Sequence, residues 1–238
     1  MRTVAETGST NADLLALARS GIEEGFWLRA ERQTAGRGRQ GRAWVSPPGN
    51  FYGSTLVRLR AGDPSAATLG FVAAVALCEV VALLLDRSSV AGHGEARLKW
   101  PNDLLVGGAK LSGILLERAD DAVVVGVGAN LAHHPDLRDR PTTSLASHGA
   151  LLAPEPFAEM LAEGFARWLA RWRGEGFAAV RTRWLDLAHP RGTALAVHLP
   201  DGAAVQGLFD GLDPDGALIL RLAAGEPRVI HAADVFLA

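Results

Sequence analysis

The densest concentration of polar chemistry lies in the ten residues from Gln33 to Arg42, which include three arginines and three glycines. Glycine lets the backbone approach a ligand and exposes its N–H groups, while guanidinium groups bind carboxylate and phosphate oxygens. The segment is almost free of apolar side chains, which predicts a loop. It could cradle a small anion, bind nucleic acid as an Arg-Gly segment, or form an ordinary solvated turn. It is not a Walker loop, because no Gly-Lys-Ser/Thr follows.

A second polar group is the run Lys99-Trp100-Pro101-Asn102-Asp103, which places an amide and a carboxylate at the end of a predicted strand. Gly107-Gly108 predicts a hairpin turn that brings Lys110 back toward Asp103. In that position each charge would stabilise the other. The carboxylate could instead bind Mg²⁺ through oxygen, and residues of this kind after proline also form ordinary turns.

Other reactive arrangements are sparse in this sequence. Gly126-x-Gly128-x-Asn130 closes a strand, a pattern that is weak evidence for a site when taken alone. The sequence contains no His-Glu-x-x-His and no Gly-x-Ser-x-Gly nucleophile elbow. The single cysteine, Cys78, excludes an internal disulfide and a multi-thiolate metal cluster. Its apolar surroundings raise the pKa of the thiol and reduce its nucleophilicity.

Length and composition limit the class of protein. The chain has 238 residues, 48% of them hydrophobic, which excludes disorder and suits one large domain with a small appendage. The net charge of −2 argues against a protein that coats nucleic acid through its overall charge. Residues 1–25 lack the apolar core of a secretory signal. With one cysteine, these features predict a cytoplasmic protein with no membrane and no nucleic-acid partner.

Periodicity predicts an α+β arrangement in the first 188 residues. Ser9-Thr10-Asn11 begins a capped helix that ends near Gly21. Residues 64–85 form a long apolar helix, which we assign to the core because Glu79 would cost about 3 kcal/mol in a bilayer. Residues 154–188 are predicted to be helical. Short strands are predicted at 26–31, 51–60, 96–100, 104–106, 110–117 and 123–127.

The pattern changes after His189-Pro190-Arg191-Gly192. Beyond this point the hydrophobic period becomes two, and Asp-Gly or Ala-Gly turns separate short strands. The sequence therefore predicts two domains, residues 1–188 and 191–238, the second a small β-barrel. The smaller unit has too few residues to act as a catalytic domain alone.

Taken together and in order, five motifs resemble those of biotin protein ligases. They are Ser9-Thr10-Asn11, Gly36-Arg37-Gly38-Arg39-x-Gly41-Arg42-x-Trp44, Lys99-Trp100-Pro101-Asn102-Asp103, Lys110-x-x-Gly113-Ile114-Leu115 and Gly126-x-Gly128-x-Asn130. The resemblance implies a fold like the catalytic core of class II aminoacyl-tRNA synthetases, a mixed sheet flanked by helices. It also implies that the C-terminal barrel is SH3-like. Only eight residues precede Ser9, so we expect a ligase without the DNA-binding domain of the family's repressor members.

The resemblance implies a two-step reaction with biotin, ATP and Mg²⁺. The biotin carboxylate attacks the α-phosphate of ATP, and a lysine of a carrier domain then attacks the biotinyl-5′-AMP. The implied partner is the biotin carboxyl carrier protein of acetyl-CoA carboxylase or a related carboxylase. Which carrier is modified stays open, as does the choice between monomer and homodimer.

Site residues follow from the same resemblance. Four residues are implied to contact the ureido and carboxylate ends of biotin: Ser9, Thr10, Asn11 and Gln33. The loop over biotin and the adenylate is implied to be formed by Arg37, Gly38 and Arg39, and Gly36 is implied to belong to the same binding site. The nucleotide is implied to contact Arg42 at its phosphates, Trp44 at its adenine, and Asn130. Gly113 belongs to the same binding set.

The implied catalytic residues are Lys110, Arg37, Arg39 and Asp103. Lys110 would hold the biotin carboxyl oxygen and the α-phosphate. Asp103 would orient Lys110, help to deprotonate the incoming lysine, or contact Mg²⁺. Two other functions are weighed against this one: a lipoate or octanoate ligase or transferase of the same fold, and a nucleic-acid-binding module that uses the arginine loop.

Overall fold

The computed structural model describes residues 1–88, 92, 94–137 and 140–237. Within them lie four helices, which are α1 (Thr10–Arg19), α2 (Leu69–Asp86), α3 (Pro154–Glu175) and α4 (Phe177–Leu187). The first seven strands are β1 (Arg2–Thr7), β2 (Trp27–Gln33), β3 (Phe51–Arg58), β4 (Ala96–Lys99), β5 (Asp103–Val106), β6 (Ala109–Ala119) and β7 (Ala122–Ala129). The last five are β8 (Ala194–His198), β9 (Ala204–Leu212), β10 (Leu218–Arg221), β11 (Pro227–Ile230) and β12 (Asp234–Leu237).

The first seven strands form one mixed sheet in the order β1-β2-β3-β7-β6-β5-β4. β1 and β2 run parallel, and the remaining neighbours are antiparallel. The mixed sheet flanked by helices that the sequence predicts is therefore confirmed. β1 was not predicted, because its side chains are mostly exposed and lack the apolar alternation of a buried strand.

β7 shows how the two faces of this sheet differ. Alternate residues of a strand point to opposite faces, and Val123, Val125 and Val127 pack into the main core with α2 and α3. Val124 packs on the other face against α1, in a smaller cluster with Leu14 and Leu56. Gly126 and Gly128 also lie on the α1 face, where they leave a floor without side chains.

The apolar helix is a core helix, as predicted. Residues 66–86 are long and apolar enough to cross a membrane, but most of this segment is buried inside the fold. α2 packs against α3, α4 and the sheet. Glu79 faces the α3 and α4 side, where it accepts hydrogen bonds from Trp168 and Arg183. Cys78 is a buried free thiol, and burial raises its pKa to about 12.

The structure confirms one local prediction, a glycine turn, and corrects two others, which concern helix ends. Gly107 and Gly108 both have positive φ and form the turn between β5 and β6, as predicted. The predicted 154–188 helix is two helices, because Gly176 adopts φ 78° between α3 and α4 and ends the first. Ser9 occupies the N-cap position of α1, but its side chain makes no capping hydrogen bond, so the predicted side-chain cap is wrong.

The C-terminal strands form a second, antiparallel sheet in the order β11-β10-β9-β8-β12. β12 was not predicted, and it returns to pair with β8. This sheet shares one continuous hydrophobic core with the larger unit. Trp100 donates a hydrogen bond from Nε1 to the carbonyl of Gly216 at 2.9 Å, and Trp184 packs edge-on against Phe209. The second sheet is thus fixed against the end of the first.

Candidate active site

A cavity of about 260 Å³ opens on the α1 face of the large sheet. Its floor is formed by β6 and β7, and one of its walls by the loop that follows β2. The predicted site residues that line it are Ser9, Thr10, Asn11, Gln33, Arg37, Gly38, Arg39, Arg42, Trp44, Asp103, Lys110, Gly113 and Asn130. Gly36 lies behind this wall, where a Cβ atom would come within 2.5 Å of the Trp44 carbonyl.

One end of the cavity holds two lysines on a single carboxylate. The Nζ atom of Lys110 lies 2.5 Å from Oδ1 of Asp103, and the Nζ atom of Lys99 lies 3.1 Å from Oδ2. Asp103 is 8% exposed, so these charges are largely removed from water. Lys99 also donates to the carbonyl of Val235 at 2.7 Å, which joins this group to β12.

Burial and charge act in opposite directions on this group. Burial alone would raise the pKa of Asp103, but the charges of Lys110 and Lys99 outweigh it and the pKa lies below its usual value. Burial lowers the pKa of Lys110, and Asp103 opposes that change. Asp103 is therefore ionised. Because its pKa is lowered, it is a poor general base and a good partner for a cation.

The opposite end of the cavity is a network of hydroxyl and amide groups. Gln33 Oε1 accepts hydrogen bonds from the backbone N–H of Thr10 at 2.9 Å and from its hydroxyl at 3.2 Å. Ser54, which is fully buried, lies 2.7 Å from the Thr10 hydroxyl and 2.6 Å from Asn11 Oδ1. These contacts fix the orientation of the polar groups of Thr10, Asn11 and Gln33 before any ligand binds.

Two positions between these ends must be glycine, because neighbouring side chains lie too close to the backbone for a Cβ atom. A Cβ atom at Gly126 would lie 2.1 Å from Asn11 Oδ1, and one at Gly128 would lie 2.6 Å from the Trp44 indole. Neither distance is compatible with a side chain. The Gly-x-Gly pattern, which is weak evidence in the sequence, is thus explained by the floor of the cavity.

Each loop arginine contacts a different part of the cavity wall. Arg37 lies 3.6 Å from Glu117 on β6, and Arg39 donates to Oδ1 of Asn102 at 3.3 Å. Arg42 forms an ion pair with Asp234 of β12. The loop is held together by a backbone hydrogen bond of 2.7 Å between Gly38 and the Arg42 carbonyl. The arginines therefore lie along the cavity, two of them paired with carboxylates and one with an amide.

Trp44 and Asn130 also line the cavity. The Trp44 ring packs against Gly128, and the Lys110 Nζ atom is 5.5 Å from its centroid. Its indole Nε1 is buried and finds no hydrogen-bond partner among the described residues. Asn130 donates from Nδ2 to the Thr143 carbonyl at 3.0 Å and is 2% exposed.

The donor set does not suit a metal ion held by the protein. The described residues contain no group of three His, Cys, Asp or Glu side chains that could bind one. Both oxygens of Asp103 already contact lysine ammonium groups. Mg²⁺ prefers several oxygen ligands in octahedral geometry. Asp103 as a metal ligand stays a prediction, and its lysine contacts disfavour it.

Several residues of the site were not among those expected from the sequence. Lys99 and Asn102 belong to the same five-residue motif as Asp103, and their place in that motif was the signal that could have identified them. Ser54 and Glu117 lie on strands with no distinctive pattern around them. The C-terminal wall, formed by Asp234, Val235 and Phe236, comes from a segment more than ninety residues beyond the other residues that line the site.

The chain belongs to the biotin/lipoate A/B protein ligase family. The model of that family matches residues 6–130, and the model of the biotin protein ligase C-terminal domain matches residues 196–238. Within this family, the chain is 41% identical to a biotin–[acetyl-CoA-carboxylase] ligase of Paracoccus denitrificans, over 98% of each chain. It is 39% identical to the Mycobacterium tuberculosis protein of the same name, over 98% of this chain and 86% of that one.

Solved structures agree on the fold. The biotin protein ligase of Aquifex aeolicus in complex with biotin and ATP superimposes with a TM-score of 0.84, at 22% identity, over 100% of this chain and 98% of that chain. A biotin protein ligase of Leishmania major in complex with biotinyl-5-AMP gives a TM-score of 0.67 at 23% identity, over 97% of this chain and 98% of that one. The two-sheet architecture is therefore that of biotin protein ligases.

Proposed function

We propose that this chain attaches biotin to a lysine of a biotin carboxyl carrier protein, with ATP as the energy source and biotinyl-5′-AMP as the intermediate. Its relatives over nearly the whole chain are named biotin–[acetyl-CoA-carboxylase] ligases. The observation that carries the chemistry is the buried Lys110–Asp103 pair, 2.5 Å apart, at the end of a cavity lined by three loop arginines. Two anions must meet in the first step, and this cavity supplies fixed cations to receive them.

In the first step, an oxygen of the biotin carboxylate bonds to the α-phosphorus of ATP, and the bond from that phosphorus to the bridging oxygen breaks to release pyrophosphate. Lys110 holds the carboxyl oxygen and the α-phosphate, and Asp103 keeps its ammonium group in place. Arg37 and Arg39 cover the intermediate, and Arg42 contacts the phosphates. A positive group fixed in a cavity with little water stabilises the developing charge without reorganisation.

Biotin lies with its ring toward Ser9 and Thr10, at the hydroxyl and amide end of the cavity. Gln33 and Asn11 already use their amides within the protein, so they support this end through Thr10 and Ser54. The Ser9 side chain makes no cap hydrogen bond, which leaves its hydroxyl available to the cavity that it lines. Gly113 leaves room for the Lys110 side chain, because a Cβ atom there would lie 3.3 Å from the Lys110 Nζ atom.

The nucleotide occupies the other half of the cavity. Trp44 offers a flat face to the adenine, and Asn130 contacts the nucleotide from the end of β7. Mg²⁺ enters on the phosphates of ATP, where it neutralises charge, rather than in a cage of protein ligands.

In the second step, the ε-amine of a carrier lysine attacks the acyl carbon of the anhydride, loses a proton and displaces AMP. The lowered pKa of Asp103 favours an orienting role toward Lys110 over that of the base for this proton. The carrier is a domain of acetyl-CoA carboxylase or a related carboxylase. The buried free thiol of Cys78 is consistent with the reducing environment of the cytoplasm.

We also propose the finer description of the architecture. The larger unit, residues 1–188, is the catalytic domain and resembles the core of class II aminoacyl-tRNA synthetases. The smaller unit, residues 191–238, is an SH3-like barrel, although its last residue lies outside the described part of the chain. Support comes from the antiparallel five-stranded sheet and from the two separate family matches.

Intact-mass spectrometry of a biotin carrier domain tests the proposal. We expect incubation with the chain, biotin and Mg-ATP to add the mass of one biotinyl group, and omission of ATP to abolish the gain. A gain with lipoate or an octanoyl donor, and none with biotin, would assign the chain to the other branch of its family. No gain with any acid would overturn the proposal.

A further inference from the structure

Glu117 lies on β6 just beyond the residues that line the cavity, and it contacts two of those lining residues, Asn11 and Arg37. It continues the row of β6 residues that faces the cavity, since Gly113, Leu115 and Glu117 alternate along the strand. Its side chain is 25% exposed. The acyl-transfer steps described above assign it no task.

The two oxygens of this carboxylate contact two different parts of the site. Oε2 accepts a hydrogen bond from Asn11 Nδ2 at 2.9 Å. Oε1 lies 3.6 Å from a guanidinium nitrogen of Arg37, in the loop that covers the cavity. A single side chain therefore links a fixed element of the floor to a loop.

The contact with Asn11 determines how that amide points. Asn11 Oδ1 faces the hydroxyl of Ser54 at 2.6 Å, and Nδ2 faces Glu117 and the Leu115 carbonyl. With an acceptor on one side and a donor on the other, only one orientation of the amide satisfies all partners. The amide also lies under Gly126, where there is no space for a side chain.

The contact with Arg37 holds the first limb of the loop. Arg37 pairs with Ala43 in a short bridge that closes the base of the loop. Further along, Arg39 is held by Asn102 near the lysine end of the cavity. The loop is thus attached at both ends of the cavity, and Glu117 is its attachment at the ring end.

We propose that Glu117 is a positioning residue that couples the Asn11 side of the floor to the arginine loop. The two oxygens of the Glu117 carboxylate link two events, the binding of the biotin ring at its end of the cavity and the closure of the arginine loop. Glu117 does not touch the reacting atoms. The inference rests on the proposed function, because it assigns the intermediate as the molecule that the loop retains.

Two substitutions separate the two contacts. Glu117→Gln keeps an oxygen that can accept from Asn11 and removes the charge that attracts Arg37. Glu117→Ala removes both contacts. Arg37→Ala removes the loop partner alone, and the double variant Glu117→Gln/Arg37→Ala completes a thermodynamic cycle. Glu175→Gln is the matched control, because it breaks another glutamate–arginine ion pair, with Arg171, on the surface of α3.

The readout is the rate at which purified protein releases biotinyl-5′-AMP formed on it from biotin and Mg-ATP, with no carrier present. A partly exposed ion pair makes a small contribution, so we expect Glu117→Gln and Arg37→Ala each to speed release about two- to fivefold. The double variant should be no faster than Arg37→Ala, and Glu175→Gln should match the wild type. Glu117→Ala should weaken biotin binding more than Glu117→Gln does, because it also frees Asn11.

Limited trypsin digestion of the ligand-free protein gives a readout that needs no biotin chemistry. Glu117→Gln should speed cleavage after Arg39 relative to Glu175→Gln. The inference is overturned if Glu117→Gln releases the intermediate and is cleaved at wild-type rates, or if the effects of Glu117→Gln and Arg37→Ala simply multiply. A wild type that retains no biotinyl-5′-AMP would overturn the proposed function instead, and the digestion rates would then decide whether Glu117 tethers the loop.

Discussion

Lys110 and Asp103 meet because the hairpin that joins them is irregular. Lys110 lies opposite Leu105, two residues beyond Asp103, and the register shifts between Leu104 and Leu105. Residues two apart on a strand share a face, so the ammonium and carboxylate groups converge at 2.5 Å. The irregularity therefore places a buried cation at the end of the cavity, where the reacting anions are proposed to meet.

Replacement of this cation should stop the first step. Lys110→Ala removes the group that faces both anions, and we expect the rate of biotinyl-5′-AMP formation to fall about 10²- to 10³-fold. Lys99 still neutralises Asp103 in this variant, so the protein should stay folded. Single-turnover quench assays measure the rate, and circular dichroism checks the fold. A folded variant with a normal rate would remove Lys110 from the mechanism.

The floor of the cavity should not tolerate a methyl group. Gly128→Ala would place Cβ 2.6 Å from the Trp44 indole, so the ring must move and the KM for ATP should rise about tenfold or more. Gly174→Ala, in an open position of α3, is the matched control. It should leave activity intact and stabilise the protein by about 0.5–1 kcal/mol, since alanine favours a helix. Equal KM values for ATP in the two variants would contradict this account of the floor.

The histidine at the junction of the two units should make stability depend on pH near neutrality. Burial lowers the pKa of His189, with further lowering by Arg97 and Lys99, and its buried Nε2 has no partner among the described residues. The unfolded chain therefore takes up a proton below about pH 6.5 before the folded chain does, so stability falls as the pH drops through that value. In thermal melts at pH 7.5 and 5.5, His189→Gln should lose less stability than the wild type. An equal loss would show that His189 does not titrate in this way.

A second acid-sensitive group lies far from the cavity. Hydrogen bonds from Arg173, with further contributions from Arg58 and Arg60, outweigh burial and lower the pKa of Glu24 from 4.5 to about 2. The stability that Glu24 contributes is present above pH 4.5 and is lost as the pH falls toward 2. Urea titrations across this range should show that the free energy of unfolding falls less steeply with decreasing pH in Glu24→Gln than in the wild type. An equal pH dependence in the two proteins would contradict the lowered pKa of Glu24.

Local chemistry explains which parts of the structure could be predicted from the sequence. The α2 helix and the glycine turn at 107–108 depend on nearby residues, and both were predicted. The end of α3 depends on one left-handed glycine, Gly176, inside an otherwise helical pattern, and was missed. β1 was missed because an exposed edge strand needs no apolar alternation.

The site divides in the same way. The residues of a motif such as Ser9-Thr10-Asn11 are adjacent in sequence, so the motif can be recognised without the structure. The cavity brings these motifs together as expected. Asp234 and Glu117 were missed, because their contacts with Arg42 and Arg37 span 192 and 80 positions. Such contacts depend on strand register and on how the second sheet meets the first, which no local spacing records.

The most direct test of the central claim needs no carrier protein. Activation of biotin as biotinyl-5′-AMP is reversible, so the chain should exchange labelled pyrophosphate into ATP when biotin is present. We predict exchange with biotin and Mg-ATP, none without biotin, and a loss of at least about 100-fold in Lys110→Ala. Exchange that requires lipoate or octanoate in place of biotin, or no exchange with any acid, would contradict the account.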